Sequence, residues 1–418
     1  MNRIVFVFLL VTMSALFCGC WDRVEIDDLE LVIGDAHDLA DYAGKTGVQT
    51  TFQIANPQAM VSGLGASAGG GAGGEGGGNG GGTFWVVSER GETIRDSVSK
   101  MNNRIPKQLF LGHERVAVFG EKAARSGLTP FFDRLTRSRE SRDTKFIAVS
   151  KGNAGRILEL ESPVSQSTTQ ALNTIFEDKD GWEGILSVNM ADFLYRLSTG
   201  ITSPVAPLVE VVPQTSMTTK EKKEGMVNTI ALTGLAIFDT QAKLVDTFNE
   251  RETMGLMWVI NRAKNRVLTI PHVAGGKAEP ISLNLTIAKS KIKVDIEDNG
   301  LPVFEIKMQI EFDLLEHFSK HQEVIGVGLI ADLEKTASTQ VINEIEAVLK
   351  KSQELGTDVF GFGEEVRRQQ HRDWPQYKEH WQDIFPIVNV AIQCETQIHN
   401  RELSVEPPGS RTEGEWHQ

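Results

Sequence analysis

The alternation of apolar and polar residues is strongest in the second half of the chain. Apolar side chains take every second position over 292–296 and again over 304–314, with charged or polar residues between them. The residues between these runs, Asp-Asn-Gly-Leu-Pro at 298–302, have the composition of a turn. The pattern therefore predicts a β-hairpin with one buried and one solvated face.

A helical repeat follows this hairpin. Apolar residues recur at every fourth position, at Leu333, Ala337, Val341, Ile345 and Leu349. Their spacing predicts an amphipathic helix over about 331–354 that ends before Gly356. Residues 388–394 alternate once more and predict a strand. We expect this strand to complete an antiparallel sheet, with the long helix packed across the apolar face of that sheet.

Strand and helix patterns alternate in the first half. Strands are predicted at 49–55, 83–87, 115–119 and 146–149, and helices at 92–105, 121–126, 129–139 and 154–160. Thr129 has the character of an N-cap, with Pro130 at the first helical position. This order predicts an α/β domain, so the fold class of the whole chain is mixed α/β and α+β with two to three domains.

Two biased segments indicate how the chain is divided. Residues 63–82 include 13 Gly between two predicted strands, which indicates a disordered loop inside a domain rather than a linker. Residues 213–227 are polar and charged, and we place the main linker there. The expected parts are a signal peptide at 1–19, an N-terminal α/β domain at 20–212, a C-terminal α+β region at 228–406, and a disordered tail at 407–418. Whether the C-terminal region divides again near 325 is left open.

The N-terminus has the pattern of an export signal. Arg3 precedes an apolar run that is too short to span a bilayer stably. Phe17 lies three residues before Cys20, and the small residue Gly19 lies directly before it, which resembles a bacterial lipobox. The pattern predicts cleavage between Gly19 and Cys20 and thioether attachment of diacylglycerol to Cys20 Sγ. An uncleaved amphipathic N-terminus and a plain secretory signal are the alternatives, and a cysteine at position 18 is unusual for a lipobox.

Composition and charge exclude some partners. The chain has 418 residues, 40% hydrophobic and 24% charged, which is typical of a soluble globular body. Its formal net charge of −13 argues against nucleic acid as a partner and against flat adsorption on anionic lipid. A covalent diacyl anchor would hold such an acidic body on a membrane, because two acyl chains suffice for stable attachment.

The three cysteines leave no intrachain disulfide. Cys18 would leave with the signal and Cys20 would carry the lipid, so Cys394 would remain alone. Cys394 lies in the alternating pattern of 388–394, where a small buried residue is expected. A reactive thiol is the less favoured alternative.

The histidines do not form a recognisable metal motif. His113 and Glu114 begin a zincin-like pair, but no second histidine follows four residues later. His371 and His380 are nine residues apart with no cysteine nearby, and we interpret them as solvated or stacking side chains. We predict no metal site, no cofactor and no catalytic residue.

The remaining candidate chemistry concerns anions and carboxylates. Arginines cluster over 134–142, which favours a solvated helix face with internal ion pairs over a phosphate or carboxylate site. No phosphate-binding loop or nucleophile elbow is present in the sequence. The two carboxylates of a glycosidase can lie far apart in a chain, so the sequence leaves a wall-cleaving enzyme open.

Several segments together resemble a known family. They are Gly-Cys-Trp-Asp at 19–22, Leu-Phe-Leu-Gly-His at 109–113, the stretches 116–127 and 131–142, Gly-Leu-Ala-Ile-Phe-Asp at 234–239, Asp-Val-Phe-Gly-Phe-Gly at 358–363, Trp374 and Trp381. Their order and spacing along nearly the whole mature chain resemble the spore germination Ger(x)C family, the lipoprotein C subunits of nutrient germinant receptors.

The resemblance implies a non-enzymatic subunit with three mixed α/β domains. Its lipid on Cys20 would hold it on the outer face of the spore inner membrane, beside a multi-span A subunit and a transporter-like B subunit. Small nutrients such as amino acids or sugars would trigger the complex. A solute-binding lipoprotein that captures the nutrient, and a cell-wall-acting lipoprotein enzyme, are the alternative functions.

Overall fold

A computed structural model provides the structure of the protein. It describes residues 3, 28–56, 83–138, 140–160, 165–178, 183–216, 225–271, 273–274, 277–278, 280–317 and 327–399. Within these ranges the strands are β1 (Leu29–Tyr42), β2 (Lys45–Ala55), β3 (Phe84–Gly91), β4 (Gln108–Phe110), β5 (Val116–Gly120), β6 (Phe146–Ser150), β7 (Val205–Ser216), β8 (Gly225–Phe238), β9 (Leu244–Phe248), β10 (Val267–Ile270), β11 (Val273–Ala274), β12 (Lys277–Ala278), β13 (Ile281–Ile296), β14 (Pro302–His317) and β15 (Asn389–His399).

The helices lie between these strands. They are α1 (Ile94–Asn102), α2 (Glu121–Ser126), α3 (Thr129–Arg137), α4 (Gly155–Glu159), α5 (Thr168–Glu177), α6 (Met190–Thr199), α7 (Glu250–Val259), α8 (Val327–Glu354), α9 (Phe362–Gln369), α10 (Trp374–Tyr377) and α11 (Trp381–Ile384). The mixed α/β fold class predicted from the sequence is confirmed.

The first sheet has the order β3-β2-β1-β5-β6-β7-β8-β9, and β4 pairs with the start of β1. Its centre is parallel, from β1 through β5 and β6 to β7, and its flanks are antiparallel. β5 is buried at every position, which is why it is a continuous apolar run rather than an alternating one. All four strands and four helices predicted for the first half are present. The N-cap of α3 is Leu128 rather than Thr129, whose hydroxyl instead donates to the Gln241 carbonyl.

The second sheet has the order β10-β13-β14-β15. The predicted hairpin is β13 and β14, paired from Ile296 opposite Pro302 onward. The predicted last strand is β15, which pairs with β14 in parallel, so this sheet is mixed where an antiparallel one was expected. The chain passes from β14 through α8 before it returns, and such a crossover brings the next strand back in the same direction.

Helix α8 packs on the buried face of the second sheet, as its apolar repeat predicts. Ala337, Val341 and Ile345 are fully buried. The Ser338 hydroxyl donates to Thr396 Oγ1 at 2.7 Å, which ties the helix to β15.

The predicted linker at 213–227 is instead part of a hairpin. Its described ends, 213–216 and 225–227, belong to β7 and β8, which pair along their whole length in the first sheet. Pro213 and Asn228 are exposed, so the polar composition reflects a solvated hairpin end rather than a boundary between domains. β8 and β9 thus complete a sheet that starts in the predicted N-terminal domain. Apart from residue 3, the signal at 1–19 lies outside the described residues, as do the glycine-rich loop at 63–82, the point near 325 and the tail at 407–418.

The two sheets share a continuous apolar core through α7 and α8. A Cβ atom at Gly255 of α7 would lie 2.2 Å from the Glu344 carbonyl oxygen of α8, so glycine permits this close approach. The buried Glu344 carboxylate also accepts hydrogen bonds from Trp258 Nε1 at 2.9 Å and from Arg266 at 3.1 Å. A buried carboxylate is stable only with such partners, so these contacts fix the helix pair.

Candidate functional site

The predicted anchor, Gly19 and Cys20, lies outside the described residues. The continuous description begins at Asp28, one residue before β1. Among the described helices, none has the length and apolar character needed to cross a membrane. The remaining predicted chemistry falls on described residues and can be located.

Four ionisable side chains form a buried cluster at the start of the parallel strands. Lys145 Nζ donates to Glu114 Oε2 at 2.7 Å and lies 3.6 Å from Asp35 Oδ2. His37 Nε2 donates to the same Asp35 oxygen at 2.8 Å. All four side chains are almost completely buried. They connect β1 to the residues that precede β5 and β6.

The cluster places one cation between two carboxylates. Burial raises the pKa of Asp35, but the Lys145 ammonium and the hydrogen bond from His37 outweigh burial and bring it to about 2. Burial and the charge of Asp35 together raise the pKa of Glu114 to about 7, against the opposing effect of Lys145. Near neutral pH, Asp35 therefore forms the buried ion pair with Lys145, and Glu114 holds a proton readily.

The surroundings of His37 are structural rather than nucleophilic. Its ring lies 5.7 Å from the ring of Phe119 and 6.0 Å from that of Phe131. Within the described ranges, Asp35 Oδ1, His37 Nδ1 and Glu114 Oε1 have no hydrogen-bond partner. A nucleophile–base pair needs a hydroxyl or thiol at this histidine, whereas the contact present is to a carboxylate. The cluster thus holds β1 beside the residues that precede β5 and β6 through charged contacts.

No sequence pattern predicts this cluster. Asp35 and His37 are two residues apart on β1 and therefore share one face. Two polar side chains on one face of a buried strand are the only sequence feature that points to a polar cluster here. Glu114 was noted only for its neighbour His113, which is exposed beside the ring of Phe110. No sequence pattern around Lys145 predicts that this side chain is buried.

A cavity of about 680 Å³ lies beside the cluster, between α1 and α3. Three arginines line it, Arg95, Arg134 and Arg137. Arg137 Nε donates to Asp133 Oδ1 at 2.9 Å, which confirms an internal ion pair in the arginine-rich run. Arg134 is half-buried and faces the cavity. The position of Arg134 therefore supports the alternative interpretation of this run, as a site for a carboxylate or phosphate.

The other candidate residues lie apart from this cavity. His371 and His380 are both exposed near α10. No group of three or more potential metal ligands occurs in the part of the chain that the structure describes. Cys394 is half-buried, packs against the core from β15 and lies 3.8 Å from Thr396 Oγ1. Burial raises the pKa of its thiol, which favours the interpretation as a core residue.

A second polar centre lies at the junction of the two halves. The buried Asp358 carboxylate accepts hydrogen bonds from the backbone N–H groups of residues 361–363 at 2.8–3.1 Å and from Trp381 Nε1 at 3.0 Å. Burial raises its pKa despite these donors. Arg196 of α6 donates to the carbonyls of Ser203 and Val359, each at 3.3 Å. Asp358 thus shapes the turn before α9, and Arg196 fastens that turn to the first half.

Two family models match the chain in sequence. One, described as "Spore germination protein N-terminal domain", matches residues 22–211. The other, described as "Spore germination B3/ GerAC like, C-terminal", matches residues 233–402. Together they cover the two sheets except for residues 212–232, whose described part belongs to the paired strands β7 and β8.

Relatives and a solved structure are similar over nearly the full length. Spore germination protein KC of Bacillus subtilis (strain 168) is 24% identical over 401 residues, which is 93% of each chain. Spore germination protein B3 of the same organism is 24% identical and covers 92% of this chain and 94% of its own. The fold is similar to that in "Crystal Structure of the GerBC protein", with a TM-score of 0.54, 18% identity, and coverage of 89% of this chain and 99% of that one.

Proposed function

This chain belongs to the spore germination family with a GerAC-like C-terminal domain, and we propose that it is a lipid-anchored, non-catalytic subunit of a spore nutrient germinant receptor. The observation that carries the proposal is the pair of matches, in order, at 22–211 and 233–402. In this role the chain is needed for nutrient-triggered germination, and its partners are the multi-span A and B subunits in the membrane.

The anchor in this proposal is a diacylglyceryl group on Cys20, after cleavage that follows Gly19. Leu29, where β1 begins, is nine residues after Cys20. A chain of that length spans at most about 30 Å when extended. The lipid would therefore hold the start of the first sheet close to the outer face of the spore inner membrane, within reach of membrane-embedded subunits.

The polar centres have a structural role rather than a catalytic one. The Asp35–Lys145–Glu114 cluster and the Asp358 turn both hold backbone elements together. The carboxylates at these centres are engaged by cations or N–H groups, so neither centre offers the spaced acid and base that glycoside hydrolysis needs.

A second candidate function is capture of a small nutrient in the cavity between α1 and α3. Its volume of about 680 Å³ falls within the range of small-molecule sites. Arg95, Arg134 and Arg137 offer guanidinium groups to a carboxylate. Calorimetric titration of the purified chain with amino acids and sugars tests this function, and heat that Arg134→Gln removes would support it.

Substitution of Cys20 tests the anchor and the receptor role together. Cys20→Ala removes the thiol that takes the lipid, so we expect the protein to leave the membrane fraction of spores and nutrient germination through its receptor to fall. Cys18→Ala is the matched control, since that residue would be discarded with the signal, and it should behave as wild type. Membrane retention together with normal germination of the Cys20→Ala spores would refute the proposal.

A further inference from the structure

A groove of about 900 Å³ lies at the junction of the two halves, bounded by α6, the end of α7, β13 and α9. The charged residues that line it are Arg196, Arg262, Lys291, Lys293, Lys307, Arg368 and Glu365. Six of these seven are cations, although the chain as a whole has a net charge of −13. The groove is therefore a positively charged patch on a negatively charged protein.

Part of this positive charge is unpaired within the protein. Lys293 pairs with Asp295 at 2.6 Å, Lys307 with Glu305 at 3.1 Å, and Arg368 with Glu365. For Arg196, Arg262 and Lys291, no carboxylate of the described residues lies within 4.0 Å. Arg262 and Lys291 are therefore available to an external anion, and Arg196 uses only Nη1 for the Ser203 and Val359 carbonyls, which leaves its other N–H groups.

The strand register brings like charges together on one wall. Lys291 of β13 lies directly opposite Lys307 of β14. Like charges in directly opposed positions destabilise a sheet. Glu305 pairs with Lys307, so Lys291 is the lysine of this pair that has no carboxylate partner among the described residues.

The backbone at this edge of the sheet is already covered by side-chain amides. Asn261 accepts from the Ser290 N–H at 2.6 Å and donates to the Ser290 carbonyl at 3.0 Å. Gln369 accepts from the Val294 N–H and donates to the Ile292 carbonyl. A partner strand would have to displace these amides, so recognition here depends on charge rather than on strand addition.

The shape of the groove favours a polypeptide over a lipid surface. Lys291 and Lys307 are exposed, whereas Arg196 is half-buried and held by the Ser203 and Val359 carbonyls. A flat bilayer surface reaches the two lysines and not the recessed guanidinium. A narrow chain that carries carboxylates reaches both.

We propose that this groove binds an extended acidic segment of another protein, whose carboxylates pair with Arg196, Arg262 and Lys291. The proposal rests on the groove alone and does not depend on the lipid anchor. It extends the proposed function by giving the chemistry of one contact that a receptor partner would make.

Binding of a fluorescent ten-residue glutamate peptide to the full chain in neutral detergent tests this proposal. We expect saturable binding that weakens as salt is added, because exposed charge pairs are screened. The double variant Lys291→Glu/Lys307→Glu should weaken binding at least tenfold. Lys122→Glu/Lys350→Glu, two exposed lysines elsewhere, makes the same change in net charge and should alter binding no more than twofold.

Further variants and measurements distinguish binding of the acidic peptide from unfolding and from binding of lipid. Arg262→Gln removes one groove cation without reversing charge and should weaken binding severalfold, while circular dichroism confirms that each variant is folded. No binding by the wild type, or equal losses in both double variants, would overturn the proposal. So would binding to phosphatidylglycerol vesicles that depends on Lys291 and Lys307 without any binding of the peptide, since that outcome assigns the groove to lipid. These assays do not measure germination, so their failure leaves the proposed function intact.

Discussion

The indole N–H of Trp381 donates to Asp358 Oδ2 at 3.0 Å in the interior of the junction. Three backbone N–H groups converge on the same carboxylate, and Gly361 takes a left-handed conformation, with φ of 84°, to aim them. A single side chain thus completes the turn that leads into α9 and orients the aromatic cluster that contains Trp381. This centre connects the two halves of the protein through Arg196.

Replacing Asp358 should be among the most destabilising single changes. Asp358→Ala leaves four buried donors without an acceptor, at about 1–3 kcal/mol for each unsatisfied group before relaxation, so we expect a loss of about 3–5 kcal/mol. Asp358→Asn keeps one acceptor oxygen and should cost less. Urea unfolding measures both. Asp383→Ala, an exposed carboxylate in α11, is the control, and a similar loss there would contradict the assigned role.

Two glycines in helices should respond oppositely to alanine. Gly255→Ala places a methyl group 2.2 Å from the Glu344 carbonyl oxygen and forces α7 and α8 apart, so we expect a loss of about 1–3 kcal/mol. Among the described residues, no atom lies within 4 Å of a Cβ placed at Gly328 of α8, and Gly328→Ala should gain up to about 1 kcal/mol through helix propensity. Thermal unfolding of both variants checks this. Equal effects would show that helix propensity, rather than the close approach of the helices, decides the outcome.

Glu114 should make stability fall as the pH rises. Its pKa is about 7 in the folded protein and 4.5 in a free side chain. Below pH 4.5 both states hold the proton. Between pH 4.5 and 7 the unfolded state has released the proton and the folded state still holds it, so the free energy of unfolding falls as the pH rises through this window. The wild type should therefore lose about 3 kcal/mol relative to Glu114→Gln across this window.

Urea unfolding of the wild type and Glu114→Gln at pH 5 and pH 8 measures this loss. Glu346→Gln, at an exposed carboxylate of α8, is the control for the loss of one carboxyl group. A stability difference between wild type and Glu114→Gln that stays constant from pH 5 to pH 8 would show that Glu114 has an ordinary pKa.

Asn261 combines a backbone role and a side-chain role that two substitutions can separate. It has a φ of 58°, and its side-chain amide accepts from the Ser290 N–H and donates to the Ser290 carbonyl at the edge of β13. Asn261→Gly keeps the conformation and loses the amide, so it reports the two hydrogen bonds, about 1–3 kcal/mol. Asn261→Ala adds the strain of a left-handed alanine, a further 1 kcal/mol or so. Equal losses in the two variants would exclude a backbone contribution.

Local patterns predicted the elements whose packing follows from their own periodicity. The β13–β14 hairpin and α8 each bury one face, so the period of apolar residues shows which face it is. The segment at 213–227 lies between the two family matches but forms the end of a hairpin. A solvated hairpin end and a linker have the same polar composition. Only the pairing of β7 with β8 distinguishes them, and that pairing involves residues distant from the segment itself.

The sequence by itself determined the acidic net charge, the family resemblance and the amphipathic elements, because each is a property of neighbouring residues or of composition, and it predicts an export signal with a candidate lipid site at Cys20. Tertiary structure alone decided which charges meet. Asp35, Glu114 and Lys145 come together only because β1, β5 and β6 are adjacent. The basic groove likewise gathers cations from α6, the residues after α7, two strands and α9. Electrostatic energy depends on distance in space, which the order of residues along the chain does not specify.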